Sequence, residues 1–115
     1  MIPEELSIKT IEKVYQKIKP YINKTPLIKA NNYIDDTFNS KIYLKYECFQ
    51  KSGSFKARGA INNILSSNKK DLKNGITAVS AGNHAIAASY AANIFNLKNK
   101  IMGLAINAII AAIMM

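Results

Sequence analysis

Twice along this chain a short run of β-branched and aromatic residues passes through a turn of small polar residues into a helix-forming segment. Lys41-Ile42-Tyr43-Leu44-Lys45-Tyr46-Glu47 reads as a strand and residues 48–54 as a loop. Residues 57–65 then read as a helix with Ala60, Ile61, Ile64 and Leu65 turned inward. The order recurs in Ile76-Thr77-Ala78-Val79-Ser80, the loop Ala81-Gly82-Asn83-His84, and an alanine-rich helix over residues 85–96. Lys100-Ile101-Met102 begins a further strand. Such alternation predicts the α/β class, with an open, mostly parallel sheet and flanking helices. In sheets of that kind ligands settle beyond the carboxyl ends of the strands, where loops lead into helix N-termini. The two loops are therefore where function is sought.

Upstream, Pro3-Glu4-Glu5 is a favourable helix start, and Leu6, Ile8, Ile11, Val14, Tyr15 and Ile18 follow at helical spacing. Lysines 9, 13, 17 and 19 face out, and Pro20 ends the helix. Thr25-Pro26-Leu27-Ile28 reads as a short extended piece. Residues 31–40 form a polar, turn-rich stretch with one helical turn through Tyr33 and Ile34. Residues 66–74 are a charged connection stopped by Asn74-Gly75. One small domain is what 115 residues accommodate.

Charge narrows the function classes. Sixteen Lys+Arg against seven Asp+Glu leave +9, but fifteen of the sixteen are lysine, scattered along the chain, with Arg58 alone. Readers of base edges lean on arginine forks, so this basicity supports loose phosphate attraction at most and no nucleic-acid partner is expected. Lys, Asn and Ile together supply 46 residues, as an AT-rich coding sequence would produce. The lone Cys48, adjacent to Phe49, excludes an internal disulfide, reads as a small packed side chain, and points to the reducing cytoplasm. No signal-peptide pattern opens the sequence. Residues 101–115 carry no charge but fall short of the roughly 20 residues that span a bilayer, so no membrane partner is expected. HExxH, CxxC, GxGxxG and Walker A patterns are absent from the sequence, and no metal site is read.

The two loops differ in chemistry. Ser52-Gly53-Ser54-Phe55 leads to Lys56 at the opening of a helix, where the positive end of the backbone dipole disfavours a cation. Burial would act the same way and make the amine a better nucleophile, the setting a Schiff-base lysine needs. On position alone, the plainer reading of Lys56 is a surface lysine after a turn. The second loop, Ser80 with Ala81, Gly82, Asn83 and His84, offers a hydroxyl, an amide, an imidazole and backbone N–H groups to an anion. Its plainer reading makes Asn83 an N-cap, His84 a structural hydrogen-bonder and Gly82 a turn residue. An amine beside an anion cradle suits a carbonyl cofactor and an amino-acid carboxylate.

The run Glu47-Cys48-Phe49-Gln50-Lys51-Ser52-Gly53-Ser54-Phe55-Lys56-Ala57-Arg58-Gly59-Ala60 closely resembles the lysine motif of the serine/threonine dehydratases. These are fold-type II pyridoxal-phosphate enzymes, of the tryptophan synthase β-like architecture. Ser80-Ala81-Gly82-Asn83-His84-Ala85 is similar to that family's second motif, and Thr25-Pro26-Leu27 to its short N-terminal signature. The resemblance implies that Lys56 holds pyridoxal 5'-phosphate as a Schiff base and later moves the substrate's Cα proton. It implies that Phe55 packs beside the cofactor and that Asn83 hydrogen-bonds its ring hydroxyl. Residues Ser80, Ala81, Gly82, Asn83 and His84 would bind the substrate carboxylate. The products would be a 2-oxo acid and ammonia.

Ala81 stands where serine racemases tend to carry a serine, and an alanine has no proton to give, so dehydration is favoured over racemisation. The family's glycine-rich phosphate loop lies well beyond residue 115, and after residue 100 the likeness gives way to an apolar, low-complexity tail. The expectation is thus an N-terminal portion, residues 1–115, of a cytoplasmic threonine/serine ammonia-lyase acting on a small amino acid, a homo-oligomer when complete. Residues 101–115 form a tail of uncertain register, and the portion by itself is expected to be inactive. A serine racemase or another lyase of the same fold is the alternative enzyme; a non-catalytic remnant or binding module is the alternative of another class.

Overall fold

The computed structural model of this chain describes residues 7–102. The hydroxyl of Ser7 accepts the backbone N–H of Thr10 and caps helix α1, Ile8–Ile18. The helix start expected around Pro3-Glu4-Glu5 and the tail from residue 103 onward lie outside the described residues. Pro20 turns the end of α1 into a short 3₁₀ segment, Lys19–Tyr21. Strand β1 (Leu27–Lys29), helix α2 (Asn32–Phe38) and strand β2 (Tyr43–Lys45) come next. Two 3₁₀ turns, Glu47–Phe49 and Lys51–Gly53, carry the chain into helix α3, Lys56–Ser66. A short helix α4 (Lys69–Leu72), strand β3 (Ile76–Val79), helix α5 (Asn83–Ile94) and strand β4 (Asn99–Met102) complete the described chain.

The expected α/β class is met in two separate pairs of strands. β3 and β4 lie parallel, Ile76 opposite Asn99 and Val79 opposite Met102, with α5 as the crossover between them. β1 and β2 are antiparallel, Ile28 opposite Leu44. Their connection turns back on itself through the seven-residue α2. Asn31 caps α2 by accepting from the Ile34 N–H, and Asn39 ends it in the left-handed region at φ 45°. Asp35 then accepts the Ile42 N–H at 2.8 Å and pairs with the Lys29 ammonium at 3.0 Å, which pins the reversal. The backbone donor, and then Lys29, hold its carboxyl below the ordinary range.

The core forms where α1, α3 and α5 meet. Ile18, Ala57, Ile61, Ile64 and Ala91 are buried in one cluster, with Val14, Tyr90, Ile94 and Phe95 packed against it. Ile61 is fully enclosed, a burial worth about 2–3 kcal/mol. Ala85, Ala87, Ala88, Ala91 and Ala92 are all buried around α5, which packs on α3 and on both parallel strands. Short side chains on several faces let one helix serve all these neighbours at close range. Tyr21 and Phe95 close the end of the core with ring centroids 4.9 Å apart.

Several expectations are corrected. The helical turn expected within residues 31–40 is a full helix, α2, because Asn31 supplies a cap. The connection over 66–74 contains α4, and the strand expected over 41–47 is ordered as strand only at Tyr43–Lys45. Ile8 and Ile11 are exposed rather than inward, since α1 meets α3 through its C-terminal half and Ile18 is its one buried residue. Cys48 is exposed rather than packed, on a turn whose neighbours Glu47 and Gln50 take the inward positions.

Gly75 sets where β3 starts. Its φ of +88° is in the region that favours glycine, and a Cβ there would collide with the backbone of Lys98, whose carbonyl accepts the Ile76 N–H at 2.8 Å. Gly75→Ala is expected to lower stability by about 2–4 kcal/mol, read by urea unfolding.

Candidate active site

Ser52 and Gly53 both have positive φ, 61° and 70°, and reverse the chain sharply before α3. Helix α3 opens at Lys56 as the sequence predicts, and no side chain caps it. The Lys56 ammonium lies 5.0 Å from the centroid of the Phe55 ring. Among the described residues no carboxylate or carbonyl pairs with it. Lys56 is exposed, so burial does not act on its amine, which stands beside the Phe55 ring on the lining of a cavity.

What holds this loop is a charged cluster without an assigned role in the sequence reading. Arg58 Nε donates to Glu47 Oε2 at 2.8 Å and its Nη2 donates to Oε1 at 2.7 Å. The Thr25 hydroxyl donates to the same Oε1 at 2.5 Å, and Lys45 Nζ donates to the Thr25 carbonyl at 2.7 Å. These bonds join the segment before β1, the strand β2, the turn after it and the first turn of α3. The Arg58 guanidinium, then the Thr25 hydroxyl, hold the Glu47 carboxyl down at about 2 against a desolvation that would raise it. Beside this cluster the buried Gln50 side chain works as a backbone clamp. Its Oε1 accepts the N–H groups of Asn23 and Lys51 at 2.8 and 2.9 Å, and its Nε2 donates to the Asn23 carbonyl at 2.9 Å. Asn23 Nδ2 returns a bond to the Phe49 carbonyl at 3.0 Å.

The second loop leaves β3 at Ser80, whose N–H donates to the Met102 carbonyl at 3.0 Å. The Ser80 hydroxyl accepts the Gly82 N–H at 3.3 Å, and Gly82 occupies the cap position of α5. Asn83 and His84 therefore stand in the first helical turn, not in a loop, and the N-cap reading of Asn83 is corrected. No side chain caps α5, and a Cβ on Gly82 would meet nothing within 4 Å. The first N–H groups of α5 are left for an outside acceptor.

Lined by α3, β3 and α5 lies a cavity of about 520 Å³, a size that suits a small-molecule site. Phe55 and Lys56 border it on one side and His84 on the other, while β3 contributes Thr77 and Ala78. Thus Lys56, Phe55 and His84 share a cavity. Ser80, Ala81, Gly82 and Asn83 stand on the adjoining turn and not on its walls. Gly59, Asn63 and Thr77 also line it and were not read from the sequence as site residues. Gly59 carried a signal, because glycine inside a helix costs about 1 kcal/mol relative to alanine. Its place is open space, where a Cβ would meet nothing within 4 Å.

Comparison with known proteins shows the family. The family profile described as "Pyridoxal-phosphate dependent enzyme" matches residues 18–104. The biosynthetic L-threonine dehydratase of Staphylococcus saprophyticus is 42% identical over 92 residues, covering 80% of this chain and 22% of that protein. The serine racemase of Dictyostelium discoideum is 39% identical over 89 residues, covering 77% of this chain and 27% of its own. The solved structure of maize serine racemase superposes with a TM-score of 0.71 at 36% identity, over 82% of this chain and 29% of that one. The chain spans about a quarter of the length of the curated relatives it matches.

The charge at Glu47 has a measurable signature. Its carboxyl is held down from 4.5 to about 2 in the folded chain, a difference that solvent screening reduces to about 1 kcal/mol of stability. That contribution is complete above pH 4.5 and is lost as pH falls toward 2. Glu47→Gln is expected to lower stability at neutral pH by a similar amount and to flatten the decline between pH 5 and 2. Urea unfolding across that range measures both.

Proposed function

This chain belongs to the pyridoxal-phosphate dependent enzyme family, and on that premise we propose that the complete protein dehydrates and deaminates L-threonine or L-serine to a 2-oxo acid and ammonia. One observation carries the reading: Lys56, whose amine has no acid partner among the described residues, and His84, in the uncapped first turn of α5, line one cavity.

The residues present fit the cofactor. Lys56 offers a primary amine for its aldehyde carbon, and the Phe55 ring beside that amine offers an apolar flank. The open space over Gly59 leaves room along α3. Pyridoxal phosphate, when bound, supplies a conjugated ring that takes up the electron pair left at the substrate's Cα. In this reading Asn83 holds the ring hydroxyl by hydrogen bond. Lys56 Nζ takes the Cα proton, and the uncapped start of α5 with the Ser80 turn holds the substrate carboxylate. Fixing the carboxylate decides which bond at Cα is presented to Nζ.

A second reading, racemisation of serine, is favoured by the likeness to serine racemases. Racemisation needs a proton donor on the face opposite Lys56. Ala81, at the turn before α5, has none to give, and this favours elimination.

In the full-length protein Lys56→Ala is expected to abolish the visible absorbance of the bound cofactor and to cut 2-oxobutanoate formation from threonine by about 10³-fold or more. The 115-residue chain by itself is expected to form no 2-oxobutanoate; measurable product from it would refute that statement. Ala81→Ser is expected to raise D-serine formation relative to pyruvate when L-serine is supplied. An unchanged ratio would separate Ala81 from the choice of reaction.

A further inference from the structure

The inference concerns what places the Lys56 amine, and it rests on the reading of Lys56 given above. Fifteen of the sixteen basic residues are lysine, and the one arginine stands two positions after Lys56. In a chain that meets every other need for positive charge with lysine, this exception marks a place where an ammonium does not serve. The reason is in the geometry. Arg58 reaches both oxygens of Glu47, at 2.8 and 2.7 Å, and a planar fork makes two such bonds at once where a lysine presents a single point.

Lys56 has no such hold of its own. The Ser52 and Ser54 hydroxyls before it are buried without a hydrogen-bond partner among the described residues. Phe55, at the cap position, contributes no capping bond. Among the described residues, each side-chain polar tie to the first turn of α3 comes through Arg58. Because the lysine amine ends a four-carbon arm, a small rotation of that turn is magnified at Nζ. We propose that Arg58, gripped by Glu47 and through it by Thr25, is a positioning residue that sets where the Lys56 amine stands over the cavity.

The test uses the full-length protein, with Lys56→Ala as reference. Arg58→Lys keeps the charge and loses the fork; Thr25→Val removes one support of Glu47 and leaves the pair. Arg58→Lys is expected to lower kcat by about 10–100-fold while KM stays within about threefold. Borohydride trapping of pyridoxal phosphate on Lys56 in the substrate-free protein, counted by peptide mass, is expected to slow by a similar factor. Thr25→Val is expected to fall between, and ethylguanidinium added to Arg58→Ala to recover part of the trapping rate. If Arg58→Lys traps cofactor at the wild-type rate, even with a lowered Tm, Arg58 serves stability alone and the proposal is overturned. Cofactor absorbance that survives in Lys56→Ala overturns the reading of Lys56 itself, and this inference with it.

Discussion

The Glu47 carboxylate is where three separated pieces of the chain converge. Thr25, Glu47 and Arg58 come from the approach to β1, the turn after β2 and the first turn of α3, and the carboxylate accepts from both of its neighbours. The pair is only 26% and 18% exposed, so each ion has given up hydration and regains it in protein bonds. Remove one partner and the other is stranded. A mutual dependence of this kind specifies a geometry more than it adds net stability, and the geometry specified here is the direction in which α3 begins. Gln50 applies the same principle with a neutral group: one amide satisfies both backbone groups of Asn23 and ties residues 23–25 to the loop before Lys56.

Patterned segments were legible in the sequence because their periodicity is local. The strand–turn–helix order, the opening of α3 at Lys56 and the crossover helix α5 all follow from spacing and turn residues. Helices α2 and α4 were not, since they are short and polar: α2 depends on the Asn31 cap rather than on an apolar stripe, and α4 has four residues and no side-chain cap. The antiparallel sense of β1 and β2 was likewise hidden, because it is settled by Asp35 reaching two partners, Lys29 and Ile42. At the site, the motif spacing led to Phe55, Lys56 and His84, which share a cavity, but the partners of Glu47, Gln50 and Arg58 are long-range. Spacing alone does not show which acid an arginine grips. The uniqueness of Arg58 in a lysine-rich chain was visible throughout, and its meaning needed the coordinates.

Close approach of the two loops comes from α5. Its buried alanines bring the helix against α3 and against β3 and β4 at once, and larger side chains would force these elements apart. That spacing places His84 on the same cavity as Lys56. The alanine-rich composition of this helix, which as a periodic signal says little, is what sets the width of the site.

The two loops are built by opposite means, a contrast that suits what the proposed function asks each to present. An amine that is to meet a carbonyl carbon gains from a single fixed approach, and the Arg58–Glu47 fork supplies stiffness from behind without touching the cavity. An anion held by a helix N-terminus needs donors that nothing else has claimed. At α5 the cap position is a glycine with no side chain to offer, and the Ser80 hydroxyl bonds to Gly82 rather than to the helical N–H groups beyond it. A better-capped α5 would be a more stable helix and a poorer cradle. Hydrogen bonds have been concentrated in the charged cluster before α3 and withheld from the start of α5.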